Sequence, residues 1–324
     1  MTRIDADMAY MELFDPGALA KLGRLELIAR QVVEGFISGR HKSPFKGFSV
    51  EFAEHREYVP GDDIGDIDWR VYGRTDRYYI KEYEEETNLR SYLLVDASGS
   101  MRYTPNGAAR GRRRWGRRRD GVAGPAISKF RYAQFVAASL AYLMLRQQDA
   151  VGMVTFDTQT RRYIPPRSRA NHLKVLAEEL HRTECDGETS LGAIFHDLAE
   201  RIRRRGLIII ISDCFDDLDS LVQGLHHFRH RKHEVIVLHT MADDEMTFPF
   251  RQWTLFRDLE IGDRRVMLDP LSVRDAYLER VSEFLRELQH RCGQLEIDYV
   301  PLNTGEPFDL ALSRYLAFRA ARAR

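Results

Sequence analysis

The chain has 324 residues, 44% of them hydrophobic and 30% charged, enough to bury a sizeable core in one large domain or two modest ones. Its 49 basic and 49 acidic side chains cancel to a formal net charge of zero, which excludes a global pull toward nucleic acid or anionic membrane and leaves only local patches. Three cysteines, Cys185, Cys214 and Cys292, without CxxC spacing, argue against a disulfide framework and fit a reducing compartment. The start, MTRIDADMAYMELF, has no leader pattern, and no run approaches the roughly 18 apolar residues of a bilayer span, so a soluble, cytoplasmic protein is expected.

In chain order, residues 16–37 place Leu19, Leu22, Leu25, Leu27, Ile28, Val32, Val33 and Phe36 near helical spacing, with Gly39 as a stop. Residues 41–47 read as a loop. Short alternating strands are expected at 48–52 and 78–84, around a turn at Pro60, Gly61, Asp62 and Asp63. Asp62, Asp63, Asp66 and Asp68 invite a second metal reading, but their spacing suits a capping turn into a helix over 69–73, with Arg56, Arg70 and Arg74 as ion-pair partners. These residues, 1–90, form a small N-terminal helix and strand region.

Beyond it the rhythm changes. Strands are expected at 92–95, 151–156, 207–212, 235–239 and 295–300, and helices at 130–146, 173–180, 191–205, 218–231, 273–292 and 307–323. Strands alternating with helices of this length predict an α/β domain over 91–324, a mostly parallel sheet with helices on both faces. Ligands of such sheets sit beyond the carboxyl ends of the strands.

Three strand-end loops carry matching chemistry. Asp96, Ser98 and Ser100 alternate on the turn leaving the first strand of this domain. Thr189 offers a hydroxyl in the loop GETSL, and Asp213 ends the strand LIIIIS. Carboxylates and hydroxyls that converge suit a hard cation such as Mg²⁺ or Mn²⁺, which prefers oxygen ligands. The plainer alternative is that Asp96 and Ser98 only cap the turn that follows.

DxSxS, a GxT-like loop and a strand ending in SD, in this order, resemble the metal-ion-dependent adhesion site of von Willebrand factor A domains. The resemblance implies a von Willebrand factor A-like (Rossmann-like) fold in which Ser98, Ser100 and Thr189 bind the metal and Asp96 and Asp213 act largely through water. It also implies an open coordination position that an acidic residue of a protein partner completes. Residues 51–86, EFAEHREYVPGDDIGDIDWRVYGRTDRYYIKEYEEE, together with the closing stretch 303–309, are similar to the signature of the domain-of-unknown-function 58 family. That likeness covers the chain from about residue 45 onward. It implies an adaptor or co-chaperone of a MoxR-type AAA+ ATPase in the maturation of proteins or complexes, and not an enzyme. Many relatives carry two N-terminal membrane helices, which this sequence lacks.

Other features of the sequence allow further readings. An aspartate after an apolar strand also suits a haloacid dehalogenase-type phosphatase, and with it a metal-dependent hydrolase. That chemistry needs a second acid two residues on, where Ser98 stands, and no lysine follows in the expected setting. The insertion 102–120 holds eight arginines and three glycines. Its plain reading is a solvated loop. Its functional readings are a clamp for an acidic partner, through Arg112, Arg113, Arg114, Arg117, Arg118 and Arg119, or a phosphate-backbone contact. Only Trp115 offers stacking there, which ranks nucleic acid last. His226 and His230 lie at i, i+4 with His227 and His233 nearby, but zinc needs a third ligand from another element, so surface histidines are the expectation. Asp216, Asp217 and Asp219 are expected to meet the dipole of the helix they precede, and Cys214 to be a small buried filler.

Overall fold

A computed structural model describes residues 50–58, 68–85, 89–105, 126–169, 171–261 and 264–322. The expected helix over 16–37, the turn at Pro60 and the six arginines of the insertion lie outside the described residues. The chain divides into two units, Phe36–Asn88 and a larger one that contains Leu89–Arg324.

In the smaller unit, strand β1 (Val50–Glu57) pairs antiparallel with β2 (Tyr79–Glu85). Helix α1 (Trp69–Thr75) is capped by Asp68, whose carboxylate accepts from the amides of Arg70 and Val71. That satisfies two otherwise orphaned donors and gives Asp68 a structural part. Asp62, Asp63 and Asp66 lie outside the described residues.

The larger unit is built on β3 (Arg90–Asp96), β4 (Ala150–Phe156), β5 (Thr160–Arg167), β6 (Leu207–Ser212), β7 (Glu234–Met241) and β10 (Asp298–Asn303), in the order β10-β7-β6-β3-β4-β5. All neighbours are parallel except β4 and β5. The central strands β3 and β6 are buried along almost their whole length because both faces of the sheet are covered. On one face Tyr92, Leu94, Ile208, Ile210, Val235 and Val237 pack against helices α4 (Leu191–Arg201), α5 (Leu218–His230) and α7 (Pro270–Gln294). Alternation turns Leu93, Val95, Ile209 and Ile211 to the other face, where α2 (Lys129–Arg146), α3 (His172–Arg182) and α8 (Phe308–Arg322) lie.

Four departures from the sequence expectations have local causes. Strand β5 was not expected, since its sequence TRRYIPPR carries two prolines and mostly polar residues; an antiparallel edge tolerates both. Helix α4 stops at Arg201, because Ile202 turns inward and the next three arginines are exposed. Helix α7 runs to Gln294, and Glu296 reverses the chain with a positive φ of 54°, so β10 begins only at Asp298. Between β7 and α7 lie a short helix α6 (Asp243–Thr247) and a hairpin of β8 (Thr254–Arg257) and β9 (Arg265–Leu268). No described helix is long and apolar enough to cross a membrane.

Candidate functional site

Parallel pairing of β3 with β6 brings Asp96 and Asp213 to the same end of the sheet. Both are fully buried, as is Ser98. Asp96 is held at both oxygens: Oδ1 accepts from the Ser98 amide at 2.9 Å, and Oδ2 accepts from the Ser212 hydroxyl. Burial, and after it the nearby charge of Asp213, raise its pKa to about 7 despite those bonds. Ser98 and Ser100 place their hydroxyl oxygens 3.0 Å apart, and Ser100 also bonds Asp213.

The Thr189 loop joins this turn through the backbone. Gly99 N donates to Gly187 O at 2.9 Å, and Asp186 N donates to Ala97 O at 3.0 Å. From the unexpected strand β5, Arg161 braces the same loop by donating to the carbonyls of Glu184 and Asp186 at 2.6 and 2.7 Å. Asp216 serves two helices: its Oδ1 accepts at 2.7 Å from the amide of Asp217, the N-cap residue of α5. Its Oδ2 caps α4 by accepting from Leu191 N at 2.6 Å, while Asp217 caps α5 through Ser220 N. One loop after β6 therefore fixes the starts of both helices behind the site.

Three functional side chains escaped the sequence reading. Lys129 is fully buried, and its ammonium donates to Asp213 Oδ2 and to Glu245 Oε1, each at 2.7 Å. Burial alone would lower its pKa, but the two carboxylates outweigh this and hold it above the ordinary lysine value. Asp213 shows the converse: burial would raise its pKa, yet Lys129 brings it below the usual range. The lysine absent from the setting a phosphatase needs thus arrives from the start of α2, and it meets Asp213 rather than Asp96. Its signal was a cation in a helix's first turn, against the dipole. Glu245, in α6, also accepts from Ala242 N at 2.7 Å.

The third is Glu260, at the tip of the β8–β9 hairpin, whose carboxylate accepts from the Thr189 hydroxyl at 2.9 Å. The hairpin loop presses on the serine turn. A Cβ at Gly99 would lie 2.2 Å from the Leu259 carbonyl, so only glycine fits there. Between hairpin and strand ends is a cavity of about 260 Å³ lined by Ser100, Lys129, Glu245, Arg257 and Glu260. Behind it, His239 Nε2 donates to the Asp213 carbonyl at 2.7 Å and Nδ1 accepts from the Tyr299 hydroxyl at 2.7 Å. Burial lowers the pKa of this imidazole to about 4.

The donor set suits a hard divalent cation. Adjacent oxygen ligands of an octahedral Mg²⁺ are about 2.9 Å apart, and the Ser98 and Ser100 hydroxyls stand at 3.0 Å. Ser98, Ser100 and Thr189 are the hydroxyls that would hold such an ion, with Asp96 and Asp213 behind them. Among the described residues no three His, Cys, Asp or Glu side chains form a metal cage, so an ion here would rest on hydroxyls. It would also share Asp213 with Lys129.

Residues 54–114 and 119–284 match the family Protein of unknown function DUF58. The chain belongs to the DUF58 family. This DUF58 protein is 24% identical over 316 residues to an uncharacterized protein of Mycobacterium tuberculosis, covering 95% of this chain and 92% of that one. Among solved structures it is similar to BatB from Bacteroides thetaiotaomicron, at 13% identity over 72% of this chain and 99% of that chain, with a TM-score of 0.42. It is also similar to the SpRpn10 VWA domain, at 12% identity over 71% of this chain and 95% of that chain, with a TM-score of 0.35.

Proposed function

We propose that this DUF58 protein is a metal-dependent protein-interaction module, acting in the cytoplasm as an adaptor or co-chaperone of a MoxR-type AAA+ ATPase. The resemblance to the family supports the ATPase partner. The site supports the chemistry of capture. The single observation that carries it is Glu260 on Thr189: beside paired serine hydroxyls, this corner already accepts one carboxylate. A partner's aspartate or glutamate offers the same group, and a Mg²⁺ or Mn²⁺ ion on Ser98, Ser100 and Thr189 would hold it. Lys129 stays protonated between two carboxylates, so it has no free pair for general-base work and fits an anion-matching role.

The test is capture of a purified MoxR-type ATPase from the same organism, with Mg²⁺ or with chelator. Wild type is expected to bind only with the metal, Ser98→Ala not at all, and Glu260→Gln more tightly by several fold because an internal competitor is gone. Capture that ignores both chelator and Ser98→Ala would sink the metal-dependent reading. Absence of capture under every condition would remove the ATPase from it.

A further inference from the structure

Helices α4 and α5 lie unusually close. A Cβ on Gly192 would sit 2.1 Å from Ser220 Oγ, and one on Gly224 would sit 2.8 Å from Phe195 Cβ, so the glycine pair sets the spacing. Close backbones bring the side chains of the next turns within reach of each other. On α4, His196 and Glu200 are one turn apart, with Nε2 and Oε1 at 3.9 Å. On α5, His227 and His230 share the last turn. The His196 and His227 rings face across the gap with centroids 4.5 Å apart at 73°. Two imidazoles on one tetrahedral zinc, each with nitrogen about 2.0–2.1 Å from the metal, hold their centroids about 5 Å apart. A cleft of about 530 Å³ opens here, lined by His196, Glu200, His227 and His230 with Ala199 and Arg231.

We propose that this cleft is a transition-metal site, taking Zn²⁺ or a chemically similar borderline cation on His196, Glu200, His227 and His230. The third ligand from another element, which the histidines of α5 required, is His196 on α4. Three imidazoles and a carboxylate select such a cation over Mg²⁺, which prefers oxygen. The cleft lies near the carboxyl ends of both helices, where the macrodipole favours positive charge. Among the described residues no three such side chains already converge, so binding requires rotamer turns. Those turns are open to His196 and Glu200, whose side chains are 55% and 64% exposed, and Arg231, also exposed, must swing toward water. An ion there would tie α4 to α5, and it is distinct from the strand-end site at the other end of α4.

The full chain is titrated with Co²⁺ in excess Mg²⁺, reading the visible bands of four-coordinate cobalt. Wild type is expected to bind one equivalent, His196→Ala and His227→Ala to bind roughly tenfold or more weakly, and Ser98→Ala to match wild type. Absence of the bands, indifference to both histidine variants, or loss of the bands in Ser98→Ala would each overturn the proposal. The last would place cobalt among the hydroxyls instead.

Discussion

The two ends of helix α4 solve opposite problems. At its start, beside Thr189, polar groups are buried and already bonded: Lys129 between Asp213 and Glu245, Asp96 between Ser98 and Ser212. Toward its far end, His196 and Glu200 stand in solvent and touch their neighbours only loosely. Burial commits a polar group to its partners, since leaving one unmet is costly, whereas exposure leaves the group free to take a ligand. Stability should therefore be sensitive to single changes at the first place and indifferent at the second.

The largest expected effect is at Lys129. Lys129→Ala leaves the buried carboxylate of Asp213 and the partly buried one of Glu245 without their cation, and removing one partner of a buried pair costs about 3–5 kcal/mol. Urea unfolding with chelator measures it, and added Mg²⁺ should return part of the loss if an ion can take over the charge on Asp213. A loss under about 1 kcal/mol would mean that the cluster is far better solvated than its burial indicates.

An intermediate effect is expected at His239, and it depends on pH. The folded pKa is about 4 against an ordinary value of 6.5, so below pH 6.5 the unfolded chain takes up a proton that the folded chain refuses. Stability from this group is full above 6.5 and is lost as pH falls toward 4, by about 2 kcal/mol at pH 5. Asp96 works in the reverse sense: with a folded pKa of about 7 against 3.8, its contribution is present below 3.8 and is lost as pH rises through 7. His239→Gln keeps a donor for the Asp213 carbonyl, so the difference between variant and wild type across pH isolates the imidazole. That difference should shrink as pH falls from 6.5 to 4; a constant offset would contradict the buried neutral state.

The smallest effect belongs to the cleft. Without metal, His196→Ala combined with His227→Ala should shift unfolding by no more than about 0.5 kcal/mol, measured in chelator by the same urea experiment. A loss of several kcal/mol would show that the histidines hold α4 to α5 as packing groups, and the contrast between the two ends would fail.

Much of this was legible in the amino-acid sequence. The β-branched run LIIIIS read as a strand, and the alternation of such runs with long helical segments pointed to a mostly parallel sheet covered by helices. Asp68 before Trp69 announced a helix cap, and Cys214 is the buried filler expected. Asp96, Ser98, Ser100, Thr189 and Asp213 could be nominated because strand-end chemistry repeats in short local motifs. Strand β5 was hidden by its two prolines, and the hairpin by strands of only four residues each. Neither pattern exceeds what a surface loop would show.

By itself, then, the amino-acid order determined which segments become strands and helices and which loops carry oxygen donors, since periodicity and local turn chemistry act over a few residues. Tertiary structure alone decided that Lys129 closes on Asp213 and Glu245, 84 and 116 positions away, that Glu260 reaches Thr189, and that His196 faces His227. Those pairings depend on helix spacing and loop path, which are set by packing between distant segments and leave no periodic mark on the chain.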